Sequence, residues 1–198
     1  MDEKKLQLFD ELRAQILKCV KCPLYKTRTH AVPGEGSLAS KVMFIGEGPG
    51  EDEDLQGRPF VGRSGQLLTK IIESVGLKRE NVYITNIVKC RPPGNRNPEE
   101  IEVVTCCTNY LEAQIALLNP KIIVTVGAIS TKWILRDQIG EKEGITKIRG
   151  KIYDWRGIKV MPILHPSYLL RNPSTEEGKP KWLTWQDMKV IKEEHDKL

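Results

Sequence analysis

Residues 42–50, with the sequence VMFIGEGPG, decide the fold of this chain, because an apolar run ends there in a glycine-rich turn. The run at 42–45 predicts a short buried strand, and the glycines with Pro49 prevent a strand or a helix from continuing. Open α/β sheets bind ligands at the carboxyl ends of such strands, where glycines let a ligand approach main-chain N–H groups. An ordinary tight turn has the same composition, and the third glycine of the dinucleotide-binding fingerprint is absent. The motif alone is therefore weak evidence for a binding site.

Apolar patterns along the rest of the chain predict further strands and helices. The predicted strands are residues 82–88, 122–127, 151–155 and 158–164. The predicted helices are residues 3–18, about 65–75, 97–118, 130–136 and a C-terminal helix whose Trp182, Trp185 and Met188 seal the core. Residues 51–62 are rich in charges and glycine, and they are predicted as a long polar loop.

The length and composition are typical of a single globular domain over residues 1–198. No apolar run approaches the roughly 18 residues of a membrane span. The first residues, MDEKK, are not followed by the apolar core of a signal peptide. We therefore expect a cytoplasmic protein without a membrane partner.

The chain carries a net charge of +5 and has a pI near 8.9. Lys and Arg are concentrated in loops such as residues 89–91 and 147–151, which makes a polyanionic partner one interpretation. By charge alone, a mildly basic solvated surface is the more common explanation. Charged residues make up 29% of the chain, which weakly favours a heat-adapted source.

Five cysteines indicate a metal site better than a disulfide framework, because their number is odd and the expected compartment is reducing. Cys19 and Cys22 form a chelating pair that follows a helix, whereas redox Cys-x-x-Cys motifs open one. Helix geometry sets Cys107 on an apolar stripe and Cys106 about 100° away from it. Together with Cys90, four thiolates remain to bind metal, and their spacing fits zinc and an iron–sulfur cluster alike.

Three side chains near predicted strand ends are candidates for recognition or catalysis. Phe60 lies in a polar loop, either as a stacking platform or as an anchor to the core. Asn86 interrupts a buried strand. Its side-chain amide either recognises a planar heterocycle through hydrogen bonds or bonds a neighbouring loop. His165 directly follows the last central strand, where a functional role and an ordinary loop histidine are about equally expected.

Taken together, these features resemble the thermostable, iron–sulfur-containing uracil-DNA glycosylases of family 4, over nearly the whole chain. The residues that carry the resemblance are GEGPG at 46–50, GRPFVG at 57–62, Asn86, HPS at 165–167 and the cysteines at 19, 22, 90 and 106. The resemblance implies an α/β fold, a single three-layer α/β/α domain with a central four-stranded parallel sheet. It also implies one structural [4Fe-4S] cluster that ties the Cys19–Cys22 segment to residues 90–106. The implied ligands are Cys19, Cys22, Cys90 and Cys106.

The activity implied by the resemblance is hydrolysis of the N-glycosidic bond of deoxyuridine in single- and double-stranded DNA. This releases uracil and leaves an abasic site, as in base excision repair, and no cofactor takes part in the chemistry. The implied catalytic residues are His165, Glu47 and Asn86. The implied uracil pocket consists of Gly46, Glu47, Gly48, Glu53, Phe60, Asn86 and His165.

The chain departs from the best-known branch of that superfamily in the glycine-rich turn. That branch has the sequence GQDPY there, and its Asp handles the attacking water. Gly48 stands at the position of this Asp, and Gly50 at the position of the Tyr. Glu47 and Glu53 are the acids nearby that are candidates to position water. Alternatively, Glu47 guards the pocket against the methyl group of thymine.

Contact with DNA is expected from residues after the second candidate turn, Ser167, Leu169, Leu170 and Arg171. Two exposed leucines beside an arginine predict a wedge that fills the space left by a flipped base.

The expected partner is uracil-containing DNA, and a sliding clamp is a candidate protein partner. The enzyme is expected to be a monomer. Three alternatives remain at this stage: a glycosylase with another base preference, a metal-stapled nucleic-acid-binding module, and an iron–sulfur electron carrier.

Overall fold

The computed structural model describes residues 3–140 and 142–198, which form a mixed sheet with helices on both faces. The strands are β1 Glu35–Gly36, β2 Val42–Gly46, β3 Tyr83–Asn86, β4 Ile122–Val126, β5 Tyr153–Trp155 and β6 Ile158–Ile163. Their order in the sheet is β1-β3-β2-β4-β6-β5. The four central strands are parallel, as expected, and the short β1 and β5 add an antiparallel strand at each edge.

The helices agree with the sequence prediction in most places. They are α1 Glu3–Leu17, α2 Glu51–Gln56, α3 Arg63–Glu73, α4 Glu100–Cys106, α5 Glu112–Leu118, α6 Ala128–Ile134, α7 Ile145–Ile148, α8 Pro166–Arg171 and α9 Pro180–Asp196. A π-helical turn, Cys107–Leu111, joins α4 to α5. The prediction of a polar loop over 51–62 is wrong in its first half, where α2 forms. Four consecutive acidic residues favour this helix because they occupy its first turn.

Two apolar cores lie on opposite faces of the sheet, because successive residues of a strand point to opposite sides. In β2, Met43 and Ile45 pack with α1, α4 and α5, whereas Val42 and Phe44 pack with α3 and α9. This produces the expected three layers. Of the three α9 residues expected to seal the core, Met188 is fully buried and Trp182 is partly buried. Trp185 is 42% exposed, so the expectation is wrong for Trp185.

The topology reverses direction at β2, which has β3 on one side and β4 on the other. The chain runs from β2 outward to β3 and then returns across β2 to β4. Such a switch point opens a crevice at the carboxyl ends of the strands. Gly46, Asn86 and His165 end or directly follow three of the four central strands, so the sheet brings them to this crevice.

A buried ion pair fixes the segment around α7 to α9. The Arg149 guanidinium donates to both carboxylate oxygens of Asp187 and to the Leu183 carbonyl oxygen. Gly150, with a φ of +72°, permits this contact, because a Cβ atom there would lie 2.3 Å from Asp187 Oδ1. The pair therefore holds the α7 segment over one end of the crevice.

Within the described residues, no helix has the length and apolar character needed to cross a membrane.

Candidate active site

A cleft of about 680 Å³ lies at the carboxyl ends of the four central strands. Each strand contributes to its wall: Glu47 follows β2, Asn86 ends β3, Gly127 follows β4 and His165 lies two residues after β6. Other lining residues are Gly48, Pro49, Gly50, Glu53, Phe60, Pro92, Asn95, Arg96, Asn97, Ile145, Thr146, Ser167, Tyr168 and Arg171. All the predicted pocket residues except Gly46 line this cleft, and Gly46 lies directly behind Asn86 and Phe60.

The Glu53 carboxylate joins the two loops that carry the glycine-rich motifs. Its Oε1 accepts the main-chain N–H groups of Val61 and Gly62, each at 2.8 Å. Its Oε2 accepts the N–H of Gly50 at 3.1 Å. Both oxygens are therefore engaged by the protein backbone. Glu53 lines the cleft, and its hydrogen bonds hold the two loops of the site in place.

Phe60 adopts a left-handed backbone conformation with a φ of 51°, which is unusual for a bulky residue. Two glycines make this conformation possible. A Cβ atom on Gly65 would lie 1.9 Å from the Phe60 carbonyl carbon, and one on Gly46 would lie 2.4 Å from Phe60 Cζ. The ring is held against the end of β2, with its centroid 6.2 Å from that of the His165 ring.

Asn86 is 1% exposed, and its side-chain oxygen has no hydrogen-bond donor among the described residues. A buried carbonyl oxygen without a partner destabilises a protein by about 1–3 kcal/mol. Strain and unsatisfied groups of this kind concentrate at functional sites. Because Asn86 also lines the cleft, its Oδ1 is poised to accept a hydrogen bond from a ligand.

His165 is held by Ser167 in one orientation. The Ser167 main-chain N–H donates to His165 Nδ1 at 3.1 Å, and the Ser167 hydroxyl lies 2.8 Å from the same atom. An amide can only donate, so Nδ1 is the acceptor and the neutral ring carries its proton on Nε2. Burial, with a further contribution from Arg171, lowers the pKa of His165 to about 4. The imidazole is therefore neutral at pH 7 and has one N–H group free to donate.

Glu47 follows directly after β2 and lines the cleft. Within the described chain, its carboxylate has no hydrogen-bond or ion-pair partner, unlike that of Glu53. Desolvation raises the pKa of Glu47 above its ordinary value. Of the two candidate acids, Glu47 is the one whose carboxylate is available to a ligand or a water molecule.

The four predicted DNA-contact residues on helix α8 differ in exposure and in what they contact. Leu169 is 1% exposed and lies beside Leu67 and Ile71 of α3, so the expectation of two exposed leucines is wrong for Leu169. One helical turn sets it on the same side as the buried Pro166. Leu170 is 38% exposed and Arg171 is exposed, whereas Ser167 is turned toward His165.

The four predicted ligand cysteines lie at one apolar core beside α1. Cys90 and Cys106 are buried in it, and Cys19 and Cys22 are partly buried against it. Cys107 is separate in its bonding, since its thiol donates to the Ile87 carbonyl oxygen. Burial raises the pKa of Cys106 to about 12. No three His, Cys, Asp or Glu side chains within 3–140 and 142–198 are grouped as ligands of a single metal ion.

Hydrogen-bond donors lie beside three of these sulfur atoms. The main-chain N–H of Lys21 donates to Cys19 Sγ at 3.5 Å, and that of Lys89 donates to Cys106 Sγ at 3.3 Å. The Arg28 guanidinium donates to Cys90 Sγ at 3.0 Å. Donors to sulfur stabilise the thiolate form, which is the form that binds metal.

Sequence reasoning missed two parts of the cleft. Gly127, with a φ of +94°, has no room for a side chain, because a Cβ atom would lie 3.1 Å from His165 Cβ. The glycine that follows strand β4 is the feature of the sequence that could have indicated this part of the cleft. The loop with Asn95 and Arg96 forms another wall, and Arg96 is held by a bidentate ion pair with the buried Glu102. The Pro/Gly-rich, basic sequence of this loop does not indicate which part of the sheet it covers.

Comparison with known proteins agrees with the geometry of this site. Residues 33–189 match the model of the uracil DNA glycosylase superfamily. The chain is 49% identical to a type-4 uracil-DNA glycosylase of Thermotoga maritima over 171 residues, which cover 86% of this chain and 87% of that protein. A type-4 uracil-DNA glycosylase of Sulfurisphaera tokodaii is 47% identical over 93% of this chain and 83% of its own length. A third, from Saccharolobus solfataricus, is 49% identical over 83% of this chain and 78% of its own length. The chain therefore belongs to the uracil-DNA glycosylase superfamily.

Proposed function

We propose that this protein is a uracil-DNA glycosylase that hydrolyses the bond between uracil and deoxyribose in DNA and leaves an abasic site. The observation that carries the proposal is the unpartnered Oδ1 of Asn86, buried at the wall of a cleft that Phe60 and His165 also line. Relatives at 47–49% identity are named for this activity.

Asn86 is suited to distinguish uracil from cytosine. Its Oδ1 would accept from N3–H of uracil, and its Nδ2 would donate to O4. Cytosine has an acceptor at N3 and a donor at N4, so both contacts would be inverted. Each buried polar group left without a partner costs about 1–3 kcal/mol. Phe60, whose ring is fixed against Gly46, supplies a flat surface on which the flipped base stacks.

His165 is suited to stabilise the leaving base. As the glycosidic bond breaks, positive charge develops on the sugar and negative charge on uracil O2. A neutral imidazole with its proton on Nε2 donates a hydrogen bond to that oxygen without giving up the proton. The contacts of Ser167 to Nδ1 fix this tautomer before the substrate arrives, and preorganised donors are the most effective ones.

Glu47 is the acid that we propose for positioning the attacking water, since its carboxylate is the available one. Two roles are consistent with its place: it holds water opposite the leaving base, or it blocks the methyl group of thymine. Gly48 does not accommodate an acidic side chain without movement, because a Cβ atom there would lie 2.8 Å from Val88 Cγ2.

The exposed Leu170 and Arg171 at the end of α8 form the proposed DNA wedge. Leu170 would fill the space left by the flipped nucleotide, and Arg171 would bind a neighbouring phosphate. Leu169 has no part in this contact, because it is buried against α3. The net charge of +5 favours association with DNA.

A [4Fe-4S] cluster on Cys19, Cys22, Cys90 and Cys106 is the proposed cofactor, with a structural role. The donor set fits such a cluster, since the four thiols lie in or against one apolar core and N–H donors reach three of their sulfur atoms. When bound, the cluster would tie α1 to residues 90–106. That segment carries the Asn95–Arg96 wall of the cleft.

The proposed function predicts release of free base from a single-stranded oligonucleotide that contains one uracil, and none from matched cytosine or thymine oligonucleotides. His165→Ala should slow release about 10²–10³-fold, as expected for loss of one preorganised donor. Asn86→Ala should slow it about 10²-fold, the equivalent of ~3 kcal/mol. Absence of release by folded wild-type protein that binds the uracil oligonucleotide would replace the enzyme with a binding module.

Two substitutions of Glu47 should separate its two roles, with a duplex that contains a G·T mismatch added to the uracil assay. If Glu47 positions water, Glu47→Gln lowers the rate of uracil release about 10²-fold, while thymine is still rejected. If Glu47 blocks the methyl group of thymine, Glu47→Ala makes release of thymine from the mismatch detectable, whereas glutamine has the size of glutamate and keeps the block. A full uracil rate in Glu47→Gln, together with rejection of thymine by Glu47→Ala, contradicts both roles.

Leu170→Ala should lower kcat/KM on duplex DNA more than on single-stranded DNA, because only the duplex has a stack that the leucine must fill. We expect a loss of about tenfold on the duplex and less than threefold on the single strand. Leu8→Ala is the matched control, since Leu8 is 41% exposed on α1, away from the cleft. Equal losses on both substrates contradict a wedge.

Cys106→Ala and Cys107→Ala should differ in iron content, although the two residues are neighbours on one helix. Cys106→Ala removes a proposed ligand, so purified protein should lose its visible iron–sulfur absorbance and much of its thermal stability. Cys107→Ala should keep the full absorbance. Equal iron content in the two variants contradicts the proposed ligand set.

A further inference from the structure

Lys89 lies between the cysteine region and the base-reading residue, and it is 1% exposed. Its ammonium donates to the main-chain carbonyl oxygen of Asn86 at 2.6 Å and to Thr85 Oγ1 at 2.7 Å. Its own main-chain N–H donates to Cys106 Sγ. One residue therefore contacts the end of β3 through its side chain and a proposed cluster ligand through its backbone.

The side-chain nitrogen of Lys89 is held in the core by two hydrogen-bond acceptors, the Asn86 carbonyl oxygen and Thr85 Oγ1. A buried polar group is tolerated where such hydrogen bonds replace the contacts that it makes with water.

The segment after β3 is fixed from two sides. On one side, the N–H groups of Ile87 and Val88 donate to the carbonyl oxygens of Gly46 and Glu47 at 2.9 and 3.1 Å. On the other side, Lys89 holds the Asn86 carbonyl. The orientation of the peptide at Asn86 sets the direction of its side chain, whose Oδ1 has no hydrogen-bond partner within residues 3–140 and 142–198.

We propose that Lys89 is a positioning residue for uracil recognition, which fixes the Asn86 peptide through the hydrogen bond from its side chain. The inference rests on the proposed glycosylase function. Lys89 would connect the proposed cluster ligand Cys106 to the proposed base-reading residue Asn86. Loss of the ammonium should weaken recognition of uracil without affecting the general affinity for DNA.

The test compares Lys89→Met with Gln114→Met. Both changes replace a fully buried polar side chain with methionine, and Gln114 bonds the Pro33 carbonyl oxygen instead of contacting Asn86. The probe is an oligonucleotide with 2′-fluoro-2′-deoxyuridine, which resists hydrolysis, beside the same oligonucleotide with thymidine. Lys89→Met should bind the uracil probe at least tenfold more weakly and the thymidine probe unchanged. Gln114→Met should bind both as the wild type does.

Unchanged binding of the uracil probe, or equal weakening for both probes, overturns the positioning role. If the wild type itself fails to release uracil, the proposed function is at fault and not the role of Lys89.

Thr85→Val replaces Lys89→Met if the latter does not yield folded, cluster-loaded protein. This variant removes one of the two acceptors of the ammonium, together with the hydrogen bond from the Thr85 hydroxyl to the Pro33 carbonyl oxygen, and keeps the shape of the side chain. We expect two- to fivefold weaker binding of the uracil probe, with full cluster absorbance. Binding equal to that of the wild type overturns the proposal.

Discussion

The site depends on one carboxylate that accepts three main-chain N–H groups. Glu53 joins the turn at Gly50 to the loop at Val61 and Gly62, two segments that approach each other only in the folded chain. Charge-assisted hydrogen bonds to backbone amides are stronger than neutral ones. They hold the loop in a conformation that includes the left-handed Phe60, and this orients the ring toward the cleft.

The same site combines rigid parts with groups that have no partner inside the protein. His165 is fixed through Nδ1, and the proposed role of Asn86 relies on its fixed peptide. Yet Asn86 Oδ1 and the Glu47 carboxylate have no donor among the described residues. A buried group without a partner, such as Asn86 Oδ1, destabilises the free protein. On the proposed function, uracil would satisfy it and a base with the wrong pattern would not, which would give selectivity for one base.

The sequence predicted the central sheet well because its strands are short apolar runs bounded by turn residues. It also predicted which positions meet, since Gly46, Asn86 and His165 all end or follow central strands. Helix α2 was missed because Glu51–Gln56 has no apolar stripe, and its stability comes from capping, acidic residues in the first turn and the buried Asp54. The burial of Leu169 depends on which side of α8 meets α3, and this is a tertiary contact that local pattern does not encode.

Steric exclusion explains why the glycine-rich turn has its particular composition. A side chain on Gly46 would collide with both Phe60 and Asn86, the proposed stacking and base-reading residues, at 2.4 Å from each. The glycine therefore lets the two side chains converge on the end of β2. Gly48 faces Val88 in the same way, and so the acidic residue of this turn lies at position 47, where its carboxylate reaches the cleft. The close packing behind the pocket, more than any direct contact to a ligand, thus determines which residues of this turn remain available for chemistry.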